Sequence, residues 1–128
     1  MPGKMKFELD EENDIVIAYP DWCVVDEKDC KVWYKEWEDY MQQFGRKMDC
    51  IMLLDGFKVE SEIASVWGEI RAKVNRQFIR FGYRVHPDAV TNIYIRTSGI
   101  KYNASTAMAP SIRDAIAAIK DARELRGV

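Results

Sequence analysis

Residues 48–54, Met-Asp-Cys-Ile-Met-Leu-Leu, constrain this chain more than any other stretch. A strand with one wet face alternates polar and apolar side chains. A nearly continuous apolar run instead suits a strand buried on both faces. Such a strand needs helices above and below its sheet. The fold class that follows is α/β, with parallel pairing through right-handed crossovers.

The flanking segments supply those helices. Upstream, from about Asp26 or Asp29 to Phe44, Cys30, Trp33, Tyr34, Trp37, Tyr40, Met41 and Phe44 recur at helical spacing. Acidic residues stand near the start of this segment, and Gly45 follows its end. Downstream, Asp55-Gly56 ends the strand, and a second helix is predicted from about Ser61 to Ile79 or a little beyond. Ser61 reads as its N-cap and Gly82 as its stop. Its apolar stripe is Ile63, Val66, Trp67, Ile70, Val74 and Phe78.

At the amino end, Met5–Asp10 alternates and Asp14–Tyr19 is rich in β-branched residues. The short acidic turn between them makes the pair a hairpin, stopped by Pro20. Residues 83–88 read as a loop with room for a short strand. Thr91–Thr97, Thr-Asn-Ile-Tyr-Ile-Arg-Thr, reads as the fourth clear strand. Gly99–Thr106 reads as an edge strand or a loop. A last helix begins near Pro110 and carries Ile112, Ala115, Ile116, Ile119, Ala122 and Leu125. The predicted order is β-β-α-β-α-β-(β)-α, a mixed four- to five-stranded sheet with packed helices. With 128 residues and no linker or repeat, the chain is read as a single domain, 1–128.

Composition narrows the function classes. Hydrophobic residues at 48% and charged residues at 31% argue against disorder. No apolar run approaches the ~18 residues of a membrane span. The first residues lack an apolar leader segment, and Cys23, Cys30 and Cys50 form no Cys-x-x-Cys pair, so reduced thiols in a cytoplasm are expected. With one histidine and no ligand spacing, neither a metal nor a cofactor is expected. The acidic balance, net −2, argues against nucleic-acid binding. Charge is nonetheless uneven: residues 1–70 hold 17 acidic and 8 basic side chains, and residues 71–128 hold 4 and 11.

Three constellations follow. If the second helix runs far enough, Lys73, Arg76, Arg80 and Arg84 share one face, with Arg71 nearby. Such a basic stripe could meet an acidic partner, or the acidic face Glu27, Glu36 and Asp39 of a second copy in a homo-oligomer. Trp33, Trp37, Tyr40 and Trp67 either line an apolar pocket for an anionic or lipid-like ligand or form core. For catalysis, only His86, Cys50, the Ser98-Gly99 pair and scattered carboxylates offer themselves, without a catalytic motif. A non-enzymatic role is therefore expected.

The third constellation is Val59-Glu60-Ser61-Glu62-Ile63, which follows the buried strand and opens a helix. A helix start carries free N–H groups and partial positive charge, suited to a phosphate on Ser61. The hairpin, helix, buried strand and hydroxyl-started helix resemble the STAS domain, the fold of anti-sigma-factor antagonists and of sulphate-transporter tails. The resemblance implies a regulatory protein-interaction module whose serine is phosphorylated by a partner kinase. Ser61 would be that acceptor, flanked by Glu60, in place of the family's aspartate, by Glu62, and by Asp55 at the strand end. The family also carries a full helix between its last two strands, where this sequence reads as Gly99–Met108 alone.

Overall fold

The computed structural model describes residues 5–127. Strands β1 (Lys6–Asp10) and β2 (Ile15–Tyr19) form the expected antiparallel hairpin. Its turn is closed by Asp10, whose carboxylate accepts from the backbone N–H and the side chain of Asn13. A short strand β3 (Cys23–Val24) leads into helix α1 (Glu27–Met41). Asp26 caps that helix by accepting from the Asp29 N–H at 2.9 Å.

The apolar run becomes β4 (Met48–Leu53), buried along nearly its whole length between β2 and β6. A short β5 (Lys58–Val59) pairs with β3 in a separate two-stranded sheet. Helix α2 (Ala64–Phe78) passes directly into β6 (Ile79–Val85). Helix α3 (Ala89–Tyr102), β7 (Met108–Ala109) and α4 (Ile112–Arg126) complete the chain. The main sheet has the order β1-β2-β4-β6-β7, parallel except for β1. The α/β class and the mixed five-stranded sheet are therefore as the sequence predicts.

Three expectations are corrected. Thr91–Thr97 is not a strand but the middle of α3. Asp88 caps α3 by accepting from the Thr91 N–H at 2.7 Å, and Thr91, Ile95 and Ser98 are its buried residues. The second helix stops at Phe78, because Ile79 turns extended at φ −118° and ψ 130°, and residues 79–85 form a sheet strand. Gly82 thus lies within β6 rather than ending a helix. Gly99–Tyr102 closes α3, and Asn103 follows it in the left-handed conformation.

The sheet separates two cores. On one face, Val16, Ala18, Met48, Cys50 and Met52 pack against the tryptophans of α1 and α2 and against Ile95 of α3. On the other, Ile15, Ile17, Ile51 and Val85 pack against Ala115 and Ile119 of α4. This alternation is the period-two consequence of the pleat. It is interrupted once: Met48 pairs with Ile79 but Cys50 pairs with Gly82, so Arg80 and Phe81 stand together opposite Asp49. This bulge turns Arg80 toward the α4 face.

Candidate functional site

Ser61 begins a single 3-10 turn, Ser61–Ile63, that precedes α2. This corrects its reading as a cap. Glu60 occupies the cap position of the turn and Ile63 that of α2, and neither makes a side-chain capping bond. Ser61 is exposed, as are Glu60 and Glu62. Its side chain lies on a cavity of about 330 Å³ between the start of α2 and the outer side of α3, shared with Tyr94, Thr97, Lys101 and Tyr102.

Asp55 lies elsewhere, in the turn after β4, and pairs with His86 just beyond β6. The His86 Nδ1 is 3.1 Å from the Asp55 carboxylate, and its Nε2 is 2.9 Å from the Pro110 carbonyl. Both neighbours are acceptors, so the pair of contacts is complete only when both ring nitrogens carry protons. The Asp55 carboxylate and then the Pro110 carbonyl accordingly raise the His86 pKa. His86 adopts φ +58°, a conformation uncommon outside glycine. Ser98 is buried inside α3, and Cys50 is fully buried with its thiol pushed up by desolvation. The parts singled out for catalysis therefore do not converge.

The basic stripe does not exist as a surface. Lys73 and Arg76 are exposed on α2, but Arg80 belongs to β6 and binds Asp49 on the opposite face of the sheet. Arg71 and Arg84 are each only 2% exposed. The proposed pairing of this stripe with an acidic face of a second copy loses its basis.

The aromatic residues form core. Trp33, Trp37 and Trp67 are buried, and Tyr40 is half-buried and stacks on Phe7 at 4.3 Å. Trp33 meets Trp37 at 6.0 Å and Trp67 at 5.8 Å, in a run that continues through Phe57 to Trp22. The space beside Trp33 and Trp67 is about 10 Å³, far too small for a lipid-like ligand. The indole N–H groups of Trp22, Trp33, Trp37 and Trp67 are buried without an acceptor among the described residues.

What the sequence reading missed is the arginine pair beneath α2 and α3. Gly68 lets the two helices approach: a Cβ there would stand 2.7 Å from the Ser98 Cβ. Arg71 reaches across this contact, donating to Ser98 Oγ at 2.8 Å, the Ile95 carbonyl at 2.8 Å and the Ser105 carbonyl at 3.0 Å. Arg84, on the same face of the sheet, donates to the Ala107 and Gly82 carbonyls and to Asn75 Oδ1. Burial pulls the Arg71 pKa down to about 10. Burial and the neighbouring Arg71 pull Arg84 down to about 9.

Among the described residues, no group of three or more histidine, cysteine or acidic side chains could hold a metal ion, and no helix is long and apolar enough to cross a membrane. No protein-family model matches the chain, and no curated protein matches it significantly.

Proposed function

We propose that this chain is a regulatory protein-interaction module resembling the STAS domain, switched by phosphorylation of Ser61. The observation that carries the reading is the placement of Ser61: exposed, unused as a cap, and on a groove that also holds Lys101. Its hydroxyl is accessible to a kinase. A phosphate there adds about −1.5 to −2 charges beside Glu60 and Glu62. It would draw Lys101 toward the start of α2 and repel the two flanking carboxylates, changing the groove that a partner meets.

The order of elements supports the resemblance as well. A hairpin precedes α1, buried β4 leads to Ser61 and α2, and α3 supplies the full helix between the last two strands, β6 and β7. The test is phosphopeptide mapping of the protein purified from its own source, with partner capture by wild type, Ser61→Ala and Ser61→Asp. The reading expects phosphate on Ser61 and a partner retained by one variant and lost by the other. An unmodified Ser61 together with identical partners for all three proteins would contradict it.

A further inference from the structure

We propose that the outer face of α3 is a docking seam for an acidic amphipathic helix of a partner protein. This names the partner class of the interaction module read above; it rests on that reading and not on phosphorylation of Ser61.

The helix is inverted relative to an ordinary surface helix, which buries its apolar stripe and shows its polar side chains. α3 buries Thr91, Ile95 and Ser98, two of them polar, and leaves Val90 52%, Ile93 59% and Ile100 87% exposed. Valine and isoleucine are also weaker helix formers than the straight-chain residues usual at wet positions. Neither helix propensity nor packing among the described residues accounts for three such side chains on one exposed face.

Their spacing is that of a seam. Val90, Ile93, Thr97 and Ile100 are all exposed and follow one another at intervals of three, four and three residues. That is the a-d-a-d order of consecutive heptads. The seam runs roughly 15 Å along the helix at 1.5 Å per residue. Ile93 and Thr97 also form one wall of the groove of about 330 Å³ between α3 and the start of α2, where Ala64 and Tyr94 add apolar lining. A helix laid along the seam fits the helix-in-groove mode of recognition.

Charge chooses the occupant. The positions flanking the seam, equivalent to e and g, are Ala89, Tyr94, Arg96 and Lys101, and Ala89–Tyr102 contains no carboxylate. Arg96 and Lys101 are exposed, and among the described residues neither forms an ion pair. Pairing α3 with the α3 of a second copy, parallel or antiparallel, would set cation against cation. The acid-rich helix α1 buries Cys30, Trp33, Trp37 and Met41 in the core, so a second copy has no free apolar seam there to offer. The complement is a helix with apolar a and d positions and Glu or Asp at e and g.

The probe is a fluorescently labelled synthetic heptad peptide with Ile at a, Leu at d and Glu at e and g, titrated with the whole unphosphorylated protein and read by anisotropy. Its counterpart carries Lys at e and g. Wild type should bind the acidic peptide about tenfold more tightly than the basic one, as two flanking charge pairs reversed in sign imply. Added salt should shrink that preference. Ile93→Gln with Ile100→Gln should lose the acidic peptide and keep the wild-type thermal midpoint, since both side chains lie in solvent. Arg96→Glu with Lys101→Glu should reverse the preference. Equal binding of the two peptides, or acidic-peptide binding untouched by the double isoleucine variant, would overturn the proposal. So would no binding of the acidic peptide, including the case in which the face takes up phosphatidylglycerol vesicles instead. Phosphate on Ser61 without peptide binding would remove the seam alone, and peptide binding with Ser61 unmodified would support the seam without the switch.

Discussion

Beneath α4, one buried carboxylate is met by two arginines; beneath α2 and α3, two buried arginines meet only neutral oxygens. Asp49 receives Arg80 through two bonds of 2.8 and 2.6 Å, Arg123 at 2.7 Å and the Phe81 N–H at 3.2 Å. Arg123 also donates to the Asn13 and Asp14 carbonyls, tying α4 to the hairpin turn. Burial alone would raise the Asp49 pKa, but the bonds from Arg80 and Arg123 outweigh it and hold the carboxyl below its ordinary range. That network is closed: every strong group in it has a partner of opposite charge or a hydrogen bond. The arginine pair on the other face meets no carboxylate among the described residues, and its hydrogen bonds go to neutral oxygens alone. Breaking a network closed on opposite charge should cost more than removing a charge held by neutral oxygens alone.

The largest expected effect breaks the closed side. Asp49→Asn leaves Arg123 and Arg80 without their carboxylate and should cost about 3 kcal/mol, read from urea unfolding. A loss below about 1 kcal/mol would mean that solvent already satisfies the arginines. The same residue sets an acid limit. Because its folded pKa is depressed, its contribution is complete above the unfolded value of about 3.9 and is lost as pH falls through the lower folded value. Asp49→Asn should therefore flatten the stability profile in that acid window.

Next in size is Gly68→Ala. Its Cβ would meet the Ser98 Cβ at 2.7 Å, so α3 must move away from α2 at a cost of about 1–3 kcal/mol. The displacement also takes Ser98 Oγ from Arg71. Smaller again is Arg84→Met. Lost hydrogen bonds to Ala107 and Gly82 are offset by removing a buried charge, so stability should stay within about 1 kcal/mol of wild type. A drop as large as that of Asp49→Asn would erase the contrast between the two faces. The smallest effect lies at the rim. His86 is the only histidine, so its imidazole resonances titrate alone, with a midpoint above the ordinary ~6.5. Whatever the raised pKa contributes to stability is complete below about 6.5 and is lost as pH rises through the folded value. Asp55→Asn should lower the midpoint toward 6.5, within the usual histidine range; an unchanged midpoint would assign the shift to Pro110 instead.

Much of the fold was legible where one periodicity had no rival. The hairpin, α1, β4 and α4 appear within a few residues of their predicted spans. The errors fall where two patterns overlap. In 91–97, β-branched residues alternate as in a strand, yet the buried set Thr91, Ile95 and Ser98 follows helical spacing, disguised because two of its members are polar. In 76–84, arginines four apart imitate a helical stripe, and α2 passes into β6 without any turn residue to mark the change. Ser61 was legible as a hydroxyl near a helix start, but the sequence misplaced it as the cap, because a 3-10 turn intervenes before α2. The arginine pair was hidden by its chemistry. Arginine is expected outside, and burying two of them depends on Gly68, Ser98 and the carbonyls of 105–107, contacts that only the folded chain brings together.

The most direct test of the contrast between the two faces is urea unfolding of Asp49→Asn and Arg84→Met side by side. The account predicts a loss of about 3 kcal/mol for Asp49→Asn and a change within about 1 kcal/mol for Arg84→Met. Equal losses in the two variants would contradict it.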